Sequence, residues 1–167
     1  MVLIRKENQA DEASIEAVTA AAFQAATHTS HTEQFIVRAL RRSGHLAVSL
    51  VADDGGEVIG HVAVSPVTIS DGTRGWYGLG PISVAPERQG QGIGTLLMER
   101  ALAELKAMRA TGCVVLGEPA YYSRFGFAAE PQLVLPGVPA EYFQAVCFGG
   151  RLPHGEVKYH DSFDATA

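Results

Sequence analysis

Glycines at alternate positions make residues 89–95 a candidate anion-binding loop. The sequence there is Gln89-Gly90-Gln91-Gly92-Ile93-Gly94-Thr95. A glycine has no Cβ, so a phosphate can approach its backbone N–H closely. A strand-like segment precedes the loop and a helical pattern follows it, which directs free N–H groups and the positive end of a helix dipole at one point. We therefore predict that this loop binds a phosphate or diphosphate group.

The glycine spacing distinguishes this loop from two common phosphate loops. A P-loop requires a lysine followed by Ser or Thr after its last glycine, but Thr95 and Leu96 follow Gly94, which excludes it. A dinucleotide fingerprint requires a glycine three positions after the second one, where Thr95 or Leu97 stands instead. Glu118, after the next strand, fits the ribose-binding acid of dinucleotide domains, so this alternative stays open. Against it, hairpins lead into the loop, where a dinucleotide domain begins with a strand and a crossover.

Hydrophobic periodicity predicts the elements that position the loop. Strands are predicted at residues 2–5, 46–52, 58–69, 76–84 and 113–116, and helices at residues 11–26, 92–109 and 119–124. Ser30 and Glu33 fit a capping box that begins another helix, which ends near Gly44. Turns join the three middle strands into an antiparallel meander. Since Pro81 cannot donate to a ladder, we expect a bulge or a splayed strand pair at residues 78–81.

The predicted fold class is α/β (α+β), with a mixed sheet and flanking helices. The sheet is expected to be antiparallel at first and parallel where the helix after the glycine loop connects two strands. The chain of 167 residues contains no repeat, low-complexity tract or linker, which predicts one domain over residues 1–167.

Three motifs resemble the GCN5-related N-acetyltransferases (GNAT). The string Gln89-x-x-Gly92-x-Gly94 is similar to the diphosphate motif of that family, and Val84-x-Pro86 is similar to its lead-in. The segment from Tyr122 to Gly126-Phe127 is similar to its Tyr…Gly-Phe signature. The resemblance covers essentially the whole chain and is closest to a bacterial subgroup of predicted acetyltransferases of the YhbS kind. It implies the GNAT fold, a mostly antiparallel mixed sheet with a splayed central strand pair.

The resemblance also implies a cofactor and residues that bind it. The expected co-substrate is acetyl-CoA or another acyl-CoA, used without a metal to acylate an amine directly. The pantetheine arm is expected to pair with the main chain of Ile82, Ser83 and Val84, where an N–H near Ile82 polarises the thioester carbonyl. The diphosphate is expected at a contiguous set of loop residues: Gln89, Gly90, Gln91, Gly92, Ile93, Gly94 and Thr95.

Proton transfer requires an acid and a base. Tyr122 matches the tyrosine that protonates the departing thiolate in the family, with Tyr121 as its neighbour; a phenol with a pKa near ~10 is protonated at neutral pH. An ammonium acceptor must lose a proton before it attacks, and Glu33 and Glu118 are the main candidate bases. His28, His31 and His61 are further candidates, although a lone strand histidine such as His61 is more often a hydrogen-bonded core or surface residue. The residues alone do not decide among these bases.

Charge and cysteine content limit the classes of partner and cofactor that we expect. The net charge of −5 argues against binding to nucleic acid or anionic membranes. Cys113 and Cys147 are expected to be buried free thiols, and no Cys/His spacing fits a metal site. The N-terminus becomes charged too early for a signal peptide, so a cytoplasmic location is the default expectation.

The amine acceptor is not readable from the sequence. A small metabolite, an aminoglycoside-like drug, a polyamine and a protein amine all stay open. The acceptor is expected near residues 27–33 and near Tyr142, Phe143 and Phe148. A homodimer is expected only because it is the commonest oligomeric state of soluble proteins. A CoA-binding sensor domain without activity is the alternative to an enzyme, and Tyr122 with the intact glycine loop favours the enzyme.

Overall fold

A computed structural model describes residues 1–24, 26 and 29–167 of the chain. Its strands are β1 (Val2–Lys6), β2 (Val48–Asp54), β3 (Glu57–Pro66), β4 (Thr68–Ile69), β5 (Trp76–Val84), β6 (Gly112–Leu116), β7 (Ala128–Ala129), β8 (Leu133–Val134), β9 (Phe143–Cys147) and β10 (Gly155–Lys158). Its α-helices are α1 (Glu12–Gln24), α2 (Glu33–Ser43), α3 (Ile93–Ala107) and α4 (Pro119–Tyr122). Short 3-10 helices lie at Gln9–Asp11, Pro86–Arg88, Ser123–Phe125, Ala140–Tyr142 and Asp161–Asp164.

The main sheet has seven strands in the order β1-β2-β3-β5-β6-β9-β7. Strands β1, β2, β3 and β5 form consecutive antiparallel pairs, as the turn signals predict. The crossover through α3 makes β6 parallel to β5. Both the antiparallel first half and the parallel connection after the glycine loop are therefore confirmed.

Helices cover both faces of this sheet. On one face α3 buries Ile93, Leu97, Met98, Ala101, Leu102 and Leu105 against a core that includes Leu50, Val62 and Val64. On the other face α1 and α2 bury Ile15 and Val37 against Val51 and Ala63. The period of 3.6 residues places each apolar stripe towards the sheet.

Strands β5 and β6 part, as predicted. They pair only over Trp76, Tyr77 and Gly78, opposite Gly112, Cys113 and Val114. From residue 79 to residue 84, β5 has no paired neighbour on its β6 side in the described chain. The register between β3 and β5 shifts between Val62 and Val64, opposite the segment that contains Pro81, so the predicted bulge is also confirmed.

Several boundaries and exposures differ from the prediction. The capping box at Ser30 and Glu33 is wrong: α2 begins at Glu33, and Thr32 at its N-cap makes no side-chain cap hydrogen bond. A capping box instead lies at Asn8, whose N–H donates to Asp11 Oδ2 at 2.7 Å. Cys113 is buried, but Cys147 is exposed, because it ends an edge-side strand where the chain turns away.

A second, three-stranded sheet in the order β4-β10-β8 was not predicted. The expected strand over residues 58–69 is divided at Val67, and its last part, Thr68–Ile69, pairs with β10 instead. The short strands β8 and β10 have too few residues for a readable periodicity. The helices in the described ranges include none long and apolar enough to cross a bilayer.

Gly112, which pairs with Trp76 where β5 and β6 meet, is predicted to tolerate no side chain. A methyl group at Gly112 would overlap the indole ring of Trp76, which is buried. We expect Gly112→Ala to lower the free energy of unfolding by about 1–3 kcal/mol, the usual cost of overfilling a core. The measurement is urea denaturation followed by circular dichroism.

Gly149→Ala is the matched control, since a methyl there meets nothing within 4 Å and the backbone needs no positive φ. It should change stability by about 0.5 kcal/mol or less. Equal losses in the two variants would contradict the steric explanation.

Candidate active site

The glycine loop closes around the head of α3. Gly90 and Gly92 have φ values of 78° and 82°, a conformation that costs other residues energy, and Gly92 is the N-cap of α3. Gln89 fixes the start of the loop, because its Nε2 donates to the Val84 carbonyl at 3.1 Å. The free N–H groups of the first turn of α3 therefore point out of the loop.

A cavity of about 390 Å³ lies in front of these N–H groups. Val84, residues 88–90 and residues 92–95 line one side of it, and Tyr121 and Arg124 line the other. Gly94 leaves room for the Tyr121 hydroxyl, which would lie 2.9 Å from a Cβ at that position. The close contact of Gly94 is therefore with Tyr121, whereas Val84 on β5 would lie 3.9 Å from a Cβ there.

The unpaired edge of β5 leads from this cavity into the sheet. Ser83 is buried, and its hydroxyl lies 3.4 Å from that of Thr19 on α1. The N–H of Ala85 bonds to Ile59 of β3. Since successive residues of a strand direct their polar groups to opposite edges, those of Ile82 and Val84 face the gap towards β6.

The two neighbouring tyrosines have different surroundings. The Tyr121 hydroxyl lies in the cavity beside Thr95, whereas Tyr122 packs against Gly117 and, edge-on, against Phe127 at 6.1 Å between ring centroids. Burial raises the pKa of Tyr122 to about 12. The Tyr122 hydroxyl is therefore a proton donor across the whole physiological pH range.

The candidate bases lie in unlike places. Glu33 Oε2 accepts from Thr29 Oγ1 at 2.5 Å, and Glu33 Oε1 is buried without a hydrogen-bond partner among the described residues. Glu118 is exposed at the N-cap of α4 and makes no cap hydrogen bond. His31 is exposed, and His28 lies outside the described residues.

His61 is a hydrogen-bonded core residue, as its position on a strand suggested. Its Nε2 lies 2.8 Å from Ser49 Oγ on β2, so the ring is directed away from the gap between β5 and β6. Ser49 in turn donates to Glu7, which also accepts two bonds from Arg41 at 2.9 Å. Burial lowers the pKa of His61 to about 4.

The structure also places the cysteine and the aromatic residues that the sequence singled out. Burial raises the pKa of the Cys113 thiol, which keeps it protonated. The Phe148 N–H donates to the Thr111 carbonyl, just before β6 and at the end away from the gap. The Tyr142 carbonyl accepts from the Gly117 N–H, at the open end of the gap. In the described chain no three His, Cys, Asp or Glu side chains are grouped as a metal site requires.

Sequence reasoning missed Arg124 as a member of the cavity. Its Nη2 donates to Thr95 Oγ1 at 2.8 Å, and its guanidinium lies over the rings of Tyr121 and Phe125. The available signal was a basic residue inside the Tyr122–Phe127 signature. Nothing local in the sequence placed it opposite residue 95.

Comparison with known proteins relates this arrangement to a described family. Residues 45–129 match the family model described as an acetyltransferase (GNAT) domain. The chain is 39% identical to Escherichia coli K12 YhbS, named an uncharacterized N-acetyltransferase, over 127 residues, which cover 75% of this chain and 73% of that protein. It is 34% identical over 102 residues to YjhQ of the same organism, covering 60% and 55% of the two chains.

Two solved structures resemble the whole chain. A GNAT family acetyltransferase from Brucella melitensis, in complex with acetyl-CoA, is 47% identical with a TM-score of 0.88 and covers 98% of this chain and 99% of its own. E. coli YhbS in complex with CoA is 34% identical with a TM-score of 0.89 and covers 99% and 93%.

The neutral His61 predicts a pH-dependent stability. Its pKa is about 4 in the folded protein against 6.5 in a model compound, so the unfolded chain binds a proton first as the pH falls. Stability is complete above pH 6.5 and is lost towards pH 4. Between pH 8 and pH 5 we expect His61 to account for a loss of about 2 kcal/mol.

Urea denaturation of the wild type and of His61→Gln at several pH values measures this contribution as their difference. The carboxylates of Glu7 and Asp11, whose pKa values are lowered by Arg41 and Arg5, titrate in both proteins, so only their smaller coupling to His61 remains in the difference. Parallel stability curves for the two proteins from pH 8 to pH 5 would contradict a neutral buried imidazole.

Proposed function

The chain belongs to the GCN5-related N-acetyltransferase family, and from that premise we propose how its residues transfer an acyl group. The protein is an acyl-CoA-dependent N-acyltransferase with acetyl-CoA as its co-substrate. The observation that carries this conclusion is the likeness of the whole chain to an acetyltransferase in complex with acetyl-CoA, at 47% identity. The dinucleotide alternative loses its basis, because an antiparallel meander leads into the loop.

The proposed diphosphate site is the loop of residues 89–95. The positive-φ glycines 90 and 92 and the free N–H groups of α3 face the 390 Å³ cavity. The helix dipole adds partial positive charge at this point, which favours an anion. Ile93 is buried beneath the loop and contributes its main chain, while Gln91 is exposed beside Arg88.

The proposed path of the pantetheine arm follows β5. Its amide groups pair with the main-chain groups of Ile82 and with the Val84 N–H, since the Val84 carbonyl already accepts from Gln89, while Ser83 holds the strand against α1. The Ile82 N–H then lies where it can stabilise negative charge on the thioester oxygen as the amine attacks. Holding the thioester in line with the amine is the main contribution of this segment.

Tyr122 is proposed as the general acid. The amine nitrogen forms a bond to the acyl carbon, the C–S bond breaks, and the thiolate takes the phenolic proton. The acylated nitrogen then loses its extra proton, which restores the Tyr122 phenol and leaves a neutral amide and the CoA thiol. Because burial raises the Tyr122 pKa, the phenol is fully protonated when the thiolate departs.

Glu33 is proposed as the base, with Glu118 as the second candidate. The Glu33 carboxylate is half-buried and oriented by the Thr29 and Ser30 hydroxyls, whereas Glu118 is exposed. An oriented, partly desolvated carboxylate is better suited to remove a proton from an ammonium group.

The acceptor is proposed to be a small-molecule or protein amine. It would enter between the start of α2 and the open end of the gap, where Leu116 and Tyr142 are exposed at 45% and 40%. We also propose that residues 1–167 form one catalytic domain. A cytoplasmic location and a homodimer stay predictions from the sequence.

Thiol release from acetyl-CoA tests both the activity and the acid. We expect the wild type to release CoA with at least one member of a panel containing a polyamine, an aminoglycoside, amino-acid amides and a lysine peptide. Tyr122→Phe should lower kcat by about 10²-fold, because protonation of the leaving group is lost. Its Kd for acetyl-CoA, measured by calorimetry, should stay within about threefold of the wild-type value because the phenol contributes little to ground-state binding.

Tyr77→Phe is the control, since Tyr77 lies in the paired part of β5. CoA binding without thiol release across the panel would favour a sensor domain instead of an enzyme. Full turnover by Tyr122→Phe would remove Tyr122 from the mechanism.

The base is tested by Glu33→Gln and Glu118→Gln. We expect Glu33→Gln to lower kcat/KM about 10²-fold near pH 7, and the loss to shrink as the pH rises towards the amine pKa of ~10, where solvent has already deprotonated the acceptor. Glu118→Gln should stay within about threefold of the wild type, since its exposed carboxylate is fully solvated and is the weaker candidate for removing the ammonium proton. The reverse order of the two losses would assign the base to Glu118.

A further inference from the structure

Arg124 faces the glycine loop across the cavity. It lies on the 3-10 helix Ser123–Phe125, which follows α4. Its Nη2 donates to Thr95 Oγ1 at 2.8 Å. Thr95 is the third residue of α3, among the residues whose N–H groups have no partner within the helix. The guanidinium therefore lies beside the same N–H groups that the loop directs into the cavity.

Two aromatic rings hold the Arg124 side chain in this position. Its Cζ lies 5.1 Å from the centroid of the Tyr121 ring and 5.4 Å from that of the Phe125 ring, distances at which a cation is attracted to the ring face. These contacts restrict the rotamers of a long side chain before any ligand binds. Less entropy is therefore lost when an anion contacts it.

The charge of Arg124 is unmatched. Arg88, which lines the same cavity, is paired with Asp54 at 2.9 Å. Arg124 forms no salt bridge with any carboxylate in the described part of the chain; its polar contact is the neutral Thr95 hydroxyl. A cation that is fixed in place without a counter-ion, at the positive end of a helix, creates a local potential that favours an anion.

We propose that Arg124 is a coenzyme-binding residue that contacts the diphosphate of CoA from the side opposite to the glycine loop. The proposal rests on the proposed function and adds a side-chain cation to a site otherwise built from main-chain N–H groups. The diphosphate is favoured over the 3′-phosphate because Thr95 ties Arg124 to the first turn of α3, where the loop directs its N–H groups.

Calorimetric titration of three ligands tests the assignment. The ligands are CoA, dephospho-CoA, which lacks the 3′-phosphate, and pantetheine, which lacks all phosphates. We expect Arg124→Gln to raise the Kd for CoA and for dephospho-CoA about tenfold each, the effect of losing one charge-assisted contact. The Kd for pantetheine should not change. The difference between variant and wild type should shrink at high salt, because salt screens the lost charge.

Arg100→Gln is the matched control. This variant also removes one positive charge, but Arg100 lies on the exposed side of α3 and pairs with Glu104. Its CoA affinity should stay within about twofold of the wild type, because a surface ion pair contributes little.

Two results would overturn the proposal. Wild-type CoA affinity in Arg124→Gln would reduce Arg124 to a structural partner of Thr95. A loss with CoA that disappears with dephospho-CoA would place the contact on the 3′-phosphate instead. CoA binding by the wild type tests the proposed function, and the ratio between variant and wild type tests Arg124, so the two failures are distinguishable.

Discussion

The parting of β5 from β6 after Gly78 is the constraint on which the rest of the structure depends. Inside a sheet, each strand normally satisfies its main-chain N–H and C=O groups with both neighbours. Here, within the described part of the chain, no strand pairs with residues 79–84 on the β6 side, in the middle of a seven-stranded sheet. A ligand with its own amide groups can satisfy that edge, as an added strand would. The bulge around Pro81 and the loop that begins after Val84 are the two ends of this open segment.

Residues far apart in the sequence hold the two strands at the point where they part. The ring of Tyr159 packs against Gly78, where a Cβ would lie 2.9 Å from it, and Phe163 supports the ring edge-on at 4.8 Å between centroids. On the same seam Trp76 fills the space that Gly112 leaves. The segment that follows β10 thus closes the inner end of the gap with the rings of Tyr159 and Phe163.

Charge is distributed unevenly over an acidic chain. The net charge is −5, yet Arg124, which has no paired carboxylate in the described chain, lines the cavity at the head of α3. Many of the acidic groups are neutralised elsewhere: Glu7 pairs with Arg41, and Asp11 with Arg5. Local potential, which steers a charged ligand, is therefore not given by net charge.

Much of the fold and the core of the candidate site follow from local patterns. Glycines 90 and 92 require positive φ whatever the rest of the chain does, and Pro81 disturbs any strand that contains it, so the loop and the bulge were predictable. The apolar residues of α3 recur at helical spacing, but Leu96 and Met108 are exposed at 43% and 44%, whereas Met98 is buried. A residue at the edge of the apolar stripe of a helix can face either the sheet or the solvent, and hydrophobic spacing alone does not decide which.

The remaining features depend on contacts that no local pattern encodes. Ser30 and Glu33 have the spacing of a capping box, but α2 begins at Glu33, whose carboxylate accepts a hydrogen bond from Thr29 instead. The sequence by itself determined the loop and the meander, because glycine, proline and hydrophobic periodicity act over a few residues. Tyr122 became the candidate acid through the resemblance of its segment to the family signature. Only the tertiary structure decided that Arg124 meets Thr95 and that Tyr159 packs on Gly78, because the crossover through α3 and the pairing of β10 bring these distant residues together.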